Sequence, residues 1–260
     1  LADGCGCASD ADCPAAANCQ EFLCTKCGCV ASPQVDGTVC GAAQTCQSGQ
    51  CKVAAVWATG VSAGDSHGCA LHGTGHVSCW GNNGQLQTGQ PKTTKLAQSA
   101  LSVKGITTAV ALASRNHHTC ALLADKTLRC WGDNFWGQLG VDNGSQDSAT
   151  PVKPAITGVQ QVVAGGQFTL ALRTDGTVWG WGQNNMAQLL DGTAQSSKSP
   201  VPIGKALSSG ALKGMAHICA GDYHACAIDT AGGMWCWGQG HEGQVGNGAK
   251  GVSNVLKAPF

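Results

Sequence analysis

The sequence predicts an all-β fold: a small disulfide-stapled module over residues 1–52, then a β-propeller of four repeats of about 50 residues over 53–260. Three observations carry this. Ten of the 17 cysteines fall within the first 51 residues. A motif ending in Trp-Gly recurs four times, at spacings of 51, 50 and 56 residues. The 38 glycines punctuate short alternating runs with no sustained 3.6-residue period, which excludes a helical solenoid.

The N-terminal part holds Cys5, Cys7, Cys13, Cys19, Cys24, Cys27, Cys29, Cys40, Cys46 and Cys51, with Phe22 and Leu23 nearly its only large apolar side chains. So little apolar surface does not fold a fifty-residue segment by burial, so cross-links are expected. Zinc is the competing reading, because Cys24-x-x-Cys27-x-Cys29 has ligand-like spacing. No His accompanies these cysteines before His67, and Gly28 stands where covalent haem attachment needs His.

The repeat begins with Ala63-Gly64-Asp65-Ser66-His67-Gly68-Cys69-Ala70-Leu71 and Val77-Ser78-Cys79-Trp80-Gly81. It returns as His118-Thr119-Cys120-Ala121-Leu122 with Leu128-Arg129-Cys130-Trp131-Gly132, and as Phe168-Thr169-Leu170-Ala171-Leu172 with Val178-Trp179-Gly180-Trp181-Gly182. The fourth copy is His224-Ala225-Cys226-Ala227-Ile228 with Met234-Trp235-Cys236-Trp237-Gly238. Two alternating runs around a turn such as Ala124-Asp125-Lys126-Thr127 form a hairpin, and each copy contributes one.

The stretch Trp131-Gly132-Asp133-Asn134-Phe135-Trp136-Gly137-Gln138-Leu139-Gly140 resembles the signature of the RCC1 (regulator of chromosome condensation) repeat, over about 53–260. The first copy, ending Gly84-Gln85-Leu86, reads as two residues short. The third reads Ala187-Gln188-Leu189-Leu190 and the fourth Gly243-Gln244-Val245-Gly246. The resemblance implies a propeller, in a family whose members usually carry seven repeats and include an exchange factor for a small GTPase. Among its bacterial exported members is an inhibitor of a hydrolase. Ser9-Asp10-Ala11-Asp12-Cys13-Pro14 and Asp36-Gly37-Thr38-Val39-Cys40 are similar to Cys-rich modules of secreted bacterial proteins.

Cys69/Cys79, Cys120/Cys130 and Cys226/Cys236 are each ten residues apart, and the third copy has Leu170 and Gly180 in both places. Paired loss is what a bond predicts, since directly opposed hairpin residues lie close to disulfide geometry. Each short loop is expected to contribute about 2–3 kcal/mol. Cys219 is the odd thiol, reading against Ser62, Leu112 and Val163. Either it is an inert core-facing residue, or it forms a bridge to the Cys-rich segment or to another chain.

Val53–Trp57 and Val61–Gly64 read as inner strand, with no outer strand before them. The segment containing Val252, Val255 and Leu256 follows the last motif and is a candidate to complete that first blade. Three arrangements stay open: a closed four-bladed ring, completion of a neighbour's blade giving rings or filaments, and an arc of a longer chain. A start at Leu1 fits either a processed exported protein or a fragment.

Fifteen basic residues balance 15 acidic ones, and charged residues make up 12% of the chain. No positive field for phosphates follows, so nucleic acid is not an expected partner. Nor is membrane insertion expected, because no apolar run reaches spanning length. His67, His118 and His224 share one repeat position, and a metal or catalytic ring there is conceivable; an architectural role fits better, since Phe168 replaces His in the third copy. His117 has no evident partner, and Asp65 and Asp222 do not recur as the carboxylate pair that acid–base chemistry needs. No cofactor motif and no nucleophile elbow is present. Phe135 and Trp136 are candidate binding-loop aromatics. The expected function is that of an exported, non-catalytic binding or structural protein at the cell surface, whose partner is another protein or further copies of itself. The alternative is a soluble propeller that inhibits or regulates an extracellular enzyme.

Overall fold

The structure is a computed structural model that describes residues 57–205, 207, 210–248 and 250–252 with their side chains, and residues 20–25, 28–33, 39–41, 44–47, 50–53 and 253–258 as strand backbone. The chain divides into two units, Leu1–Trp57 and Ala58–Phe260, five residues beyond the boundary expected from the cysteines. In the first unit β1 (Gln20–Thr25) pairs with β2 (Gly28–Pro33), and β3 (Val39–Gly41), β4 (Gln44–Gln47) and β5 (Gln50–Val53) form a three-stranded sheet. Backbone register sets Cys24 opposite Cys29 and Cys46 opposite Cys51. The side chains of the ten N-terminal cysteines, and with them the disulfide and zinc readings of this module, lie outside the described residues.

The second unit is four antiparallel four-stranded sheets in sequence order. Blade 1 comprises β6 (Ala58–Ala63), β7 (His67–His72), β8 (Val77–Asn82) and β9 (Leu96–Ser102). Blade 2 comprises β10 (Ala109–Arg115), β11 (His118–Leu123), β12 (Leu128–Gly132) and β13 (Ser148–Val152). In blade 3 the strands are β14 (Val159–Ala164), β15 (Phe168–Arg173), β16 (Val178–Gly182) and β17 (Ser197–Pro202). Blade 4 is made of β18 (Met215–Ala220), β19 (His224–Asp229), β20 (Met234–Gln239) and β21 (Val252–Ala258).

The central hairpin of each blade closes with the same turn, in which Gly75, Lys126, Gly176 or Gly232 takes a positive φ and donates its backbone N–H three residues back. Asp125 and Asp175 fix two of these turns by accepting from both the backbone N–H and the hydroxyl of Thr127 and Thr177.

Each hydrophobic cluster lies between consecutive blades rather than within one. Cys69, Leu71 and Cys79 pack on Ala121 and Trp131; Cys120, Leu122 and Cys130 on Ala171 and Trp181; Leu170 and Leu172 on Ala227 and Trp237. Among the described residues no such cluster joins blade 4 to blade 1, so the closed four-bladed ring is not the arrangement described. Within the second unit the four blades follow one another as an arc.

Two expectations about the ends are corrected. Blade 1 has its own outer strand, β9, because every blade runs from inner to outer strand along the chain. The segment with Val252, Val255 and Leu256 is therefore β21, the outer strand of blade 4, paired with β20 so that Leu256 lies opposite Cys236 and Val252 opposite Gln239. Its pairing edge is already used within its own blade, so it does not complete blade 1. The side chains of Val255 and Leu256 lie outside the described residues.

Cys69 lies opposite Cys79, Cys120 opposite Cys130, and Cys226 opposite Cys236. All three pairs are bonded, with Cα–Cα distances of 4.1 Å. Blade 3 explains its own exception: a Cβ added to Gly180 would lie 2.7 Å from Leu170 Cδ2 and 2.7 Å from Ile203 Cδ1, so the Leu170 side chain fills the volume that Gly180 leaves. Leu170 with Gly180 is thus a packed substitute for the bridge. Replacing Gly180 with Ala is expected to destabilise the chain by about 1–3 kcal/mol in denaturant melts. The double Cys120→Ala, Cys130→Ala change is expected to cost about 3 kcal/mol or more.

Candidate binding surface

The loops that follow β8, β12, β16 and β20 are built alike. Each opens on a glycine that the backbone demands: Gly132 sits at φ +104°, and a Cβ there would stand 2.4 Å from the His117 carbonyl oxygen. Three residues after the Trp, the amide of Asn83, Asn134 or Asn184 is buried and staples the loop. Its oxygen accepts from the backbone N–H of Thr88, Leu139 or Leu189, and its NH2 donates to groups further along. Gly240 takes this place in blade 4.

A glutamine seven residues after each Trp then folds back, with Gln87, Gln138, Gln188 and Gln244 accepting from the N–H groups of Gln85, Trp136, Met186 and Glu242. The first copy is therefore of full length. Gln87 and Thr88 stand where Gln138 and Leu139 do, and the Gln85-Leu86 pair lies two residues too early to be the motif. Leu86 (φ 62°) and Ala187 (φ 57°) adopt the left-handed turn that Gly137 and Gly243 take freely, which is why the glycine signal fails in those copies.

On these fixed loops the tips differ: Gly84-Gln85, Phe135-Trp136, Asn185-Met186 and His241-Glu242. Phe135 is 67% exposed. Its ring meets that of the half-buried Trp136 edge-on, with centroids 5.2 Å apart. Four polar or aromatic tips on a common rigid frame make a surface for recognition.

The three histidines do not converge on one point. The Nε2 of His67 lies 2.8 Å from the Thr119 hydroxyl in blade 2, and that of His118 lies 3.0 Å from the Thr169 hydroxyl in blade 3. Thr169 donates its own proton to the Gln138 carbonyl, so it accepts from His118 Nε2–H, which fixes that tautomer. His224 is half-buried and makes no contact of this kind.

Thr119 and Thr169 were not among the expected functional residues. The signal for them is a joint change: where Phe168 replaces His, the residue it faces in blade 4 is Ala225, and both are buried in one apolar cluster.

At this end of the strands Arg115 Nε donates to Asp222 Oδ1 at 2.8 Å, linking blades 2 and 4. Asp222 is thereby engaged with a cation, and it does not pair with Asp65. Cys219 lies opposite Cys226, in register with Ser62, Ala113 and Val163 rather than Leu112, and it is exposed, not core-facing. Among the described residues no group of three or more His, Cys, Asp or Glu is arranged to hold a metal.

The regulator of chromosome condensation (RCC1) repeat matches residues 58–87, 110–138, 159–188 and 215–244, and a second form of the same repeat matches 129–172 and 175–228. The chain belongs to the RCC1-repeat family. The four matches end on Gln87, Gln138, Gln188 and Gln244, the same register as the loops.

The chain is 33% identical over 194 residues to human "Probable E3 ubiquitin-protein ligase HERC6", covering 72% of this chain and 19% of that protein. It is 29% identical to "RCC1 domain-containing protein RUG3, mitochondrial" of Arabidopsis thaliana, covering 43% of it. Among solved structures, human WBSCR16 superposes with a TM-score of 0.69 at 22% identity, over 79% of this chain and 54% of that one. Prp20p of Saccharomyces cerevisiae, studied for its binding to Gsp1p and histones, gives 0.68 at 23%, over 80% and 52%. The RCC1-repeat chain thus spans well under two thirds of the relatives it matches.

Burial away from water pushes the His67 pKa down to about 4 and that of His118 to about 3, with His117 adding repulsion in both cases. Both imidazoles stay neutral in the folded chain while the unfolded chain takes up protons below about 6.5. Stability is therefore full above pH 6.5 and is lost as pH falls toward 4, by about 1.4 kcal/mol per pH unit for each imidazole. Copying the blade 3–4 pair with His118→Phe and Thr169→Ala is expected to remove about 1.4 kcal/mol per pH unit from the slope in melts between pH 6.5 and 4.5.

Proposed function

We propose that this RCC1-repeat chain is a non-catalytic protein-binding module of an oxidising, extracellular compartment, recognising its partner through the loop tips that follow each Trp-Gly pair. The observation that carries the reading is the contrast between constant and variable positions in those loops. The Asn staple recurs in three of them and the Gln fold-back in all four, while the tips carry unrelated side chains. A rigid frame with unlike tips suits recognition by shape and anchoring aromatics, and Phe135 with Trp136 offers such an anchor at its centre. Export is supported by the cysteines: three hairpins carry bridges of a kind that reducing compartments do not keep. The relatives named are eukaryotic, and the exported bacterial type implied by the sequence resemblance rests on the cysteines and the N-terminal module alone.

Binding to secreted proteins of the source organism, captured by crosslinking to the full chain, is the test. The Phe135→Ser, Trp136→Ser double variant is expected to lower capture at least about tenfold, a loss of about 1.4 kcal/mol, with an unchanged melting temperature. Undiminished capture would place recognition elsewhere. Maleimide labelling of the chain as isolated is expected to modify Cys219 while sparing the six blade cysteines until a reductant is added. Labelling of those six without reductant would overturn the extracellular reading.

A further inference from the structure

The loop between β12 and β13 differs from its three counterparts in charge as well as at its tip. Residues 133–147 contain Asp133, Asp142 and Asp147 and neither Lys nor Arg. The loop after β8 carries Lys92 and Lys95 without a carboxylate, that after β16 carries Asp191 alone, and that after β20 balances Glu242 against Lys250. Blade 2 thus joins the aromatic tip to the most acidic of the four loops, with blades 1 and 3 on either side. Asp142 is engaged by the Lys198 ammonium of blade 3 at 3.2 Å. The other two carboxylates lie directly behind the tip. Gly132 and Ser148 face each other across β12 and β13, which brings Asp133 and Asp147 side by side at the root of the loop. Asp133 Oδ1 accepts from the Phe135 N–H at 2.9 Å, and Asp147 Oδ1 from the Asn134 N–H at 3.1 Å. Among the described residues neither carboxylate forms an ion pair with a Lys or Arg. Partial burial, and then the Asp133 carboxyl beside it, push the Asp147 pKa up, against the opposing Asn134 N–H and the Lys92 ammonium of blade 1. Two carboxylates held together without a counter-ion carry an electrostatic cost that a cation relieves.

Taking the loop tips as the recognition surface, we propose that the partner protein places an arginine at blade 2, its guanidinium against Asp147 and Asp133 and its methylene stem on the Phe135 ring. Three features select this chemistry. The loop offers two carboxylates side by side, and a planar guanidinium with five N–H donors bonds both, where an ammonium acts as a point charge. Phe135 is 67% exposed, so its ring is open to a cation, and guanidinium stacks on aromatic faces. The arginine stem covers apolar surface while its head stays with the carboxylates. A bare divalent ion suits the place less, because among the described residues no third His, Cys, Asp or Glu joins the pair to hold a metal. Protonation of Asp147 removes the charge that the guanidinium meets. Binding therefore weakens as pH falls, and it does so from a higher pH than an ordinary Asp would set, because the Asp147 pKa lies above that value.

NMR titration of the full chain tests this, with the acetylated, amidated peptide Gly-Arg-Gly as probe and its Lys and Glu counterparts as controls. The arginine peptide is expected to shift the backbone amide signals of Asn134 and Phe135 saturably. The lysine peptide is expected to bind about threefold more weakly, and the glutamate peptide to leave both signals in place. Asp147→Asn keeps an oxygen that accepts from the Asn134 N–H, so this variant is expected to hold its melting temperature and to bind the arginine peptide about fivefold more weakly. Phe135→Ser is expected to cost about threefold. Lowering the pH from about 7 to about 4.5 is expected to weaken binding in the parent chain and far less in Asp147→Asn. No shift at Asn134 and Phe135, equal binding of the arginine and lysine peptides, indifference to Asp147→Asn, or the same shifts produced by calcium alone would each overturn the proposal. Partner capture separates this failure from that of the recognition surface itself. Capture lost with the Phe135→Ser, Trp136→Ser double variant but undiminished by Asp147→Asn would keep the loop tips as the surface and remove the arginine.

Discussion

Blades 2, 3 and 4 are each locked to the one before by a tryptophan. Trp131, Trp181 and Trp237 are wholly buried, and their indole N–H groups reach the carbonyls of Gln87, Gln138 and Gln188 at 3.1, 2.9 and 2.7 Å. A buried indole N–H without an acceptor is costly, so the position of the Gln loop in one blade dictates where the next can sit. That loop is in turn held by its own Asn and Gln side chains, which is why the repeat spends so many residues on a segment that forms no strand. Fold and candidate surface depend on the same device, because the loop that accepts the indole also displays the variable tip.

Around this lock the remaining positions vary in matched sets. A neutral His against a Thr hydroxyl at two junctions becomes Phe168 against Ala225 at the third, exchanging a polar pair for an apolar one without leaving either partner alone. The Cys pairs become Leu170 over Gly180, exchanging a covalent tie for packed volume. Both exchanges occur in blade 3 and use its forward face, so the blade 3–4 junction is the apolar member of the series and lacks the pH-sensitive imidazole of the other two.

Much of the fold was legible from the sequence, because the Trp-Gly pairs and the ten-residue Cys spacing are local and recur. The phase of the repeat was not: alternation marks a strand without saying whether it lies inner or outer, so β21 read as a spare strand although it closes blade 4. Register in the first loop was obscured by Gln85-Leu86, which imitates the motif two residues early, and by Leu86 in a backbone conformation that usually signals glycine. Thr119 and Thr169 escaped notice because their partners lie about fifty residues away, and only the joint change to Phe168 and Ala225 betrays them. Phe135 and Trp136 stood out as aromatics, whereas their exposure follows from the Asn134 and Gln138 hydrogen bonds that hold the tip outward.

The central claim is that junctions between blades, each closed by an indole, carry the stability of the arc. Hydrogen exchange of the indole N–H groups, followed by NMR in dilute solution, tests it most directly. Trp131, Trp181 and Trp237 should exchange only through global unfolding, while Trp80, 38% exposed and with no indole acceptor among the described residues, should exchange orders of magnitude faster. Equal exchange at all four positions would contradict the account, since the lock would then owe nothing to the neighbouring blade.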